Sequence, residues 1–183
     1  PGGGFYTYDE MKAEGREVRQ YGKWTTPCTS PDENGQGEPF CCYMYGLFMA
    51  EVAVDITTGK TAVEKLTMIA DIGKVNNLVT DGQLYGGLAQ GIGLALTEDY
   101  EDIKKHSTLI GAGLPYIKDV PDDIELIYLE NSRKDGPFGA SGVGELPLTA
   151  PHAAIINAIY QACGARVRHL PARPEKVLAA LKK

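Results

Sequence analysis

Ala50, Val52 and Val54 alternate with Glu51, Ala53 and Asp55, a period of two that predicts a strand with one covered face. That strand lies within an apolar, aromatic run over residues 43–55. After Thr57-Thr58-Gly59-Lys60 a second apolar run covers residues 62–71, with Val63, Leu66, Met68 and Ile69. Two such runs around a glycine-containing turn predict a β-hairpin. The period then lengthens. Between residues 79 and 99, Leu84, Leu88, Ile92 and Leu96 recur on one helical face. A polar stretch over 98–106 and a loop around Gly111-Ala-Gly-Leu-Pro115 follow, and residues 124–129 predict a short strand. Pro151 suits the first turn of a helix carrying Ile155, Ile156 and Ile159, which Gly164 would close. Val167 and Leu170 predict a short extended piece, and residues 174–181 a last helix bearing Val177, Leu178 and Leu181. Hairpin, helix, strand and helix in this order indicate an α+β fold, a short mixed sheet packed by helices.

Residues 1–42 differ from the rest. They show little periodicity and read as a long irregular segment, of a kind that is usually functional or held by a partner. Their opening, Pro1-Gly-Gly-Gly, has neither an initiator Met nor a signal-peptide pattern, so upstream native sequence is expected. Residues 43–183 form the second unit, with no internal repeat.

Charge and composition narrow the classes. A net charge of −6 over 183 residues disfavours a nucleic-acid binder. No apolar run approaches the ~20 residues of a membrane-spanning helix. Cys28, Cys41, Cys42 and Cys163 contain no C-x-x-C, and His106, His152 and His169 fall at no metal-ligand spacing. Free thiols in a reducing compartment, the cytoplasm, are therefore expected, with no protein-ligated metal.

The chemistry-bearing stretch is Gly136-Pro-Phe-Gly-Ala-Ser-Gly-Val-Gly-Glu145-Leu-Pro. Glycine lets main chain approach a ligand closely, so this loop can wrap a bulky group and aim one carboxylate at it. The plainer alternative is a Gly/Pro turn with a solvated or helix-capping Glu145. The spacing is neither G-x-G-x-x-G nor G-x-S-x-G, which leaves a Rossmann site and a Ser141 hydrolase unsupported. Gly86, Gly87, Gly91 and Gly93 inside a helix cost about 0.5–1 kcal/mol each relative to Ala. Either tight helix packing or a ligand abutting the backbone and Gln90 explains them; the sequence leaves both open.

Several pieces in order carry a resemblance. They are Glu51-Val-Ala-Val-Asp-Ile-Thr-Thr-Gly-Lys60, Asp71-Ile-Gly73, Asp81-Gly-Gln, Gly86-Gly-Leu-Ala-Gln90-Gly-Ile-Gly93, the loop ending at Glu145, Asn157-Ala-Ile and Leu170-Pro-Ala-Arg-Pro-Glu. From residue 43 to the end the chain resembles the molybdenum hydroxylases, the xanthine oxidase/aldehyde oxidoreductase family. More narrowly, it resembles the C-terminal part of the bacterial molybdenum-containing aldehyde oxidoreductases, residues 1–42 fitting loosely. One departure is Asn76-Asn77-Leu where the family commonly has Asn-Pro.

The resemblance implies a molybdopterin cofactor, in bacteria the cytosine dinucleotide form, whose dithiolene holds the molybdenum. It implies Glu145 as general base, hydride transfer to a molybdenum sulfido group, and electrons leaving through two [2Fe–2S] clusters outside this chain. Gln90 matches the family glutamine near the metal centre. The amides of Gly139, Ala140, Ser141, Gly142, Val143 and Gly144 are expected to cradle the anionic cofactor, as glycine-rich nests do. The expected partners are the remainder of the molybdoenzyme, an aldehyde substrate and a second copy in a homodimer. Alternatives are a purine or N-heterocycle hydroxylase of the same family, or a non-catalytic cofactor-binding or assembly module.

Overall fold

A computed structural model describes residues 5–19, 21–75 and 79–182. The Pro1-Gly-Gly-Gly opening and Asn76-Asn77-Leu78 lie outside the described residues. Strands β1 (Tyr45–Val54) and β2 (Thr61–Asp71) pair antiparallel, as their alternating pattern predicts. Asp55 builds the turn between them: its Oδ1 accepts from the Thr57 amide at 2.8 Å and its Oδ2 from the Thr58 hydroxyl at 2.8 Å. Gly59 closes the turn at φ +77°, where a side chain would also meet the Pro174 carbonyl.

Strand β3 (Asp123–Tyr128) joins β2 in parallel, giving the order β1-β2-β3 with β2 in the centre. A parallel partner requires a crossover. Helix α2 (Thr80–Leu96) lies in that connection, and α4 (Pro151–Cys163) packs beside it and across β1. Leu66, Met68, Leu84, Leu88, Ile92, Ile155, Ile159 and Val177 of helix α5 (Pro174–Leu181) are almost wholly buried between sheet and helices. The fold is α+β. Among the described residues no helix is long and apolar enough to cross a membrane.

Two short helices escape the periodicity. Helix α1 (Tyr8–Ala13), within residues 1–42, starts at a capping box in which the Thr7 amide donates to Glu10 Oε2 at 2.7 Å. Helix α3 (Leu109–Ala112) starts at Thr108 and ends at Gly113 with φ +76°. Six and four residues are too few to display a helical face. Residues 167–170, expected to be extended, form no strand. Ala165 and Val167 instead bury their side chains in the core.

The helical glycines divide by neighbour. A Cβ on Gly87 would collide with Pro147, and one on Gly91 with Pro151, so both are set by the close approach of α2 to the segment after Glu145. Gly86 has nothing within 4 Å. Gly87→Ala is therefore expected to destabilise the chain by about 1–3 kcal/mol, as overpacking does. Gly86→Ala should stabilise it by about 0.4–1 kcal/mol through the unfolded state. Thermal unfolding of both variants checks this, and equal effects would show that packing does not select these glycines.

Candidate functional site

The loop before Glu145 is anchored at its front by the exit of β2. Asp71 accepts from Asn131 Nδ2 at 2.8 Å and from the Gly73 amide at 3.2 Å, and it pairs with the Arg133 guanidinium at 3.0 Å. Burial works against ionisation of Asp71, but these three donors outweigh it and hold the carboxyl below its usual range. Arg133 also donates to the Asp71 and Asn131 carbonyls, each at 3.0 Å. The main chain completes the clamp. Lys74 and Arg133 amides both donate to the Gly139 carbonyl at 2.8 Å, and the Ser141 amide donates to the Ile72 carbonyl at 2.9 Å.

Inside the loop, Gly136 and Gly139 are required by the chain itself. A Cβ on Gly136 would strike the Ala140 carbonyl, and Gly139 sits at φ +83° against Ser132. Between them Phe138 takes the left-handed region at φ 53° and projects almost fully into solvent. Gly142 and Gly144 are different: neither has a positive φ, and a Cβ on either would meet open space. Nothing in the described chain requires glycine there, so these two keep a surface clear.

The six expected cradle residues divide the same way. The amides of Gly139, Ala140 and Ser141 are committed to the carbonyls of Gly136, Pro137 and Ile72. Those of Gly142, Val143 and Gly144 donate to no group among the described residues. Val143 and Gly144 line a cleft of about 390 Å³ shared with Ile72, Lys74, Val75, Thr80 and Gln83, and Gly142 beside them is exposed. Ser141 lines it too, and its buried Oγ has no hydrogen-bond partner among the described residues. Orphaned buried hydroxyls are rare in folded proteins. Free amides and an orphan hydroxyl, beside a Lys74 that is paired with Glu130 at 3.1 Å, suit an oxygen-rich anionic group, so the residues fit a pterin phosphate.

The rear of the loop is tied to α2. Gln83 Nε2 donates to the Gly144 carbonyl at 2.7 Å, and Pro147 rests on Gly87. Tyr128 donates a short hydrogen bond of 2.5 Å to Asp81, fixing the first turn of α2 to β3; burial and the Asp81 carboxylate push its phenol up. Glu145 follows directly, its carbonyl accepting from the Leu148 amide at 3.1 Å. Its side chain is exposed, has no hydrogen-bond partner among the described residues, and opens onto a second cleft of about 630 Å³. Phe40, Tyr43, Tyr45 and Phe48 line that cleft. The glutamate thus lines the aromatic cleft and directly follows Gly144, which lines the first one.

Gln90, two turns beyond Gln83 on α2, is exposed and is not among the residues lining either cleft. Gln83, which sequence reading quotes but gives no role, is the glutamine that reaches the loop. The seven-residue spacing of the two was the available signal, since it places both on one side of a helix.

The molybdopterin cofactor-binding domain model matches residues 3–121. The aldehyde oxidoreductase of Megalodesulfovibrio gigas is 62% identical over 100% of this chain and 20% of its own length. A crystal structure of the aldehyde oxidoreductase from Desulfovibrio desulfuricans is 72% identical over 98% of this chain and 20% of that chain, with a TM-score of 0.82. Quinoline 2-oxidoreductase from Pseudomonas putida 86 is 31% identical over 72% of this chain and 18% of that chain, with a TM-score of 0.64. These matches take in residues before 43 as well, from residue 3 in the family model. The chain spans about one-fifth of the length of the relatives it matches. It belongs to the molybdopterin cofactor-binding domain family of the molybdenum hydroxylases.

Proposed function

We propose that the complete protein carrying this chain oxidises aldehydes to carboxylic acids, with Glu145 as the general base. The observation that carries this reading is the position of Glu145, exposed on the aromatic cleft at Tyr43 and Tyr45 and next in the chain to Val143 and Gly144 of the first cleft. The identity of 62–72% to aldehyde oxidoreductases supports the substrate class. When bound, the molybdenum pterin supplies Lewis acidity and a two-electron sink.

This chain's own residues do the remainder. The amides of Gly142, Val143 and Gly144, with the Ser141 hydroxyl, hold the anionic pterin, and Gly139 and Ala140 shape the loop behind them. Gln83 fixes the carbonyl of the residue before the base. Gln90, by its likeness to the family glutamine, faces the cofactor in a part of the site completed by sequence outside this chain. Glu145 accepts the proton released as substrate is attacked, and its aromatic surroundings hold the aldehyde and exclude water. The cytosine dinucleotide form of the cofactor, two [2Fe–2S] clusters elsewhere, a homodimeric assembly and a cytoplasmic location complete the proposal. Four free thiols fit a reducing compartment.

The test is aldehyde-dependent dye reduction by the complete protein, with molybdenum content measured in parallel. Reduction with aldehydes is expected. Turnover of N-heterocycles alone would favour the second reading, which the likeness to quinoline 2-oxidoreductase supports. Full molybdenum with neither activity would favour a non-catalytic module. The isolated 183-residue chain is expected to bind little cofactor, and stoichiometric molybdenum in it would contradict a site shared with other sequence.

A further inference from the structure

Three of the four cysteines gather at the neck of one loop. Its two arms are joined by the Thr29 amide donating to the Glu38 carbonyl at 3.0 Å, and by the Glu38 amide donating to Thr29 Oγ1 at 2.9 Å. Asp32 and Gln36 close its tip, the Asp32 amide donating to the Gln36 carbonyl at 2.7 Å. Cys28 and Cys41 therefore leave the neck on the side away from the tip, one on each arm. Thr26 is within 2.6 Å of the Cys28 sulfur, and Cys41 lies 3.9 Å from Cys42. Cys41 has Thr26, Cys42 and Cys28 as neighbours, which hold its thiol below the usual range against the effect of burial, Thr26 most strongly. Burial and the neighbouring Cys41 keep Cys42 protonated instead. All three sulfur-bearing residues are half-buried, and none is in a disulfide.

We propose that Cys41 and Cys28 form a dithiol site that exchanges with small disulfides, Cys41 attacking and Cys28 resolving. The Cys41 thiolate attacks one sulfur of the small disulfide, whose S–S bond breaks as a new one forms to Cys41. The electron pair leaves on the released thiolate, which takes up a proton. Cys28 then loses its proton to solvent and attacks the Cys41 sulfur, releasing the second small thiol. Two protein thiols are oxidised and one small disulfide is reduced to two thiols, so the exchange balances. Cys42 is a poor resolving partner. Adjacent Cα atoms lie about 3.8 Å apart across a trans peptide, below the roughly 4.4–6.8 Å that disulfides span. Phe40 and Cys42, on either side of Cys41, line the aromatic cleft below Glu145, so the linkage would tether one wall of that cleft.

The complete protein, fully reduced, is incubated with oxidised glutathione, and its remaining thiols are then alkylated and mapped by mass spectrometry. The expected product is a peptide pair joined through Cys28 and Cys41, reversed by reductant, with Cys42 and Cys163 alkylated. Cys28→Ser should stop at a glutathione adduct on Cys41, and Cys41→Ser should slow uptake by about tenfold or more, as loss of the reactive thiolate does. Should Cys41→Ser fail to fold, the order of alkylation by iodoacetamide in the wild type decides: Cys41 first supports the site, and any other order overturns it. No uptake at all, a first adduct on Cys42 or Cys163, or a Cys41–Cys42 disulfide in Cys28→Ser would each overturn it.

Discussion

Glu145→Gln in the complete protein should lower aldehyde turnover by about 10²–10⁴-fold, the usual contribution of a general base, with molybdenum content unchanged. The substitution is nearly isosteric. The carboxylate has no partner among the described residues, and the main-chain bond from Leu148 to the Glu145 carbonyl does not depend on it. The loop should therefore keep its shape and the cofactor its place. A loss in kcat with molybdenum retained assigns the defect to proton acceptance. A variant within a few-fold of the wild-type rate would remove Glu145 from that role.

Asp71→Ala should destabilise the chain by about 3 kcal/mol, the low end of the cost of leaving one partner of a buried ion pair uncompensated. Both side chains keep some water access, 15% for Arg133 and 11% for Asp71, which argues for the low end. The change also removes acceptors from Asn131 and the Gly73 amide, and with them the front clamp of the loop. The pH dependence has a definite sign. Asp71 is depressed in the folded chain, so its contribution is fully present above the unfolded carboxyl value of about 3.9. It is lost as pH falls through the lower folded value. The stability difference between wild type and Asp71→Ala, measured by thermal unfolding, should be constant above about pH 5 and shrink below about pH 4. A difference that grows in acid would show that the Asp71 carboxylate does not stabilise the fold.

Local pattern carried much of this fold. The hairpin declares itself in the alternation of Ala50, Val52 and Val54, and α2, α4 and α5 in their helical spacing with Pro151 and Gly164 as punctuation. The parallel pairing of β3 with β2 was not legible, because register across a crossover depends on packing between distant segments. The Asp71–Arg133 pair joins residues 62 apart and leaves no local trace. At the site, the glycine-rich loop and Glu145 stood out as residue types, but composition could not say which glycines serve the chain and which face outward. Gly136 and Gly139 are consumed by the turn, while Gly142 and Gly144 are not. Likewise Gln83 and Gln90 look equivalent on a helical repeat, and only the placement of Gly144 separates them.

The central claim is that molybdenum sits beside Glu145, over the backbone of Gly142–Gly144. Crystals of the complete protein, measured on both sides of the molybdenum absorption edge, test it most directly. An anomalous peak facing the Glu145 carboxylate, with pterin density against the free amides of Gly142, Val143 and Gly144, is the expected result. A molybdenum peak on any other face of this domain, with Glu145 turned to bulk solvent, would contradict it.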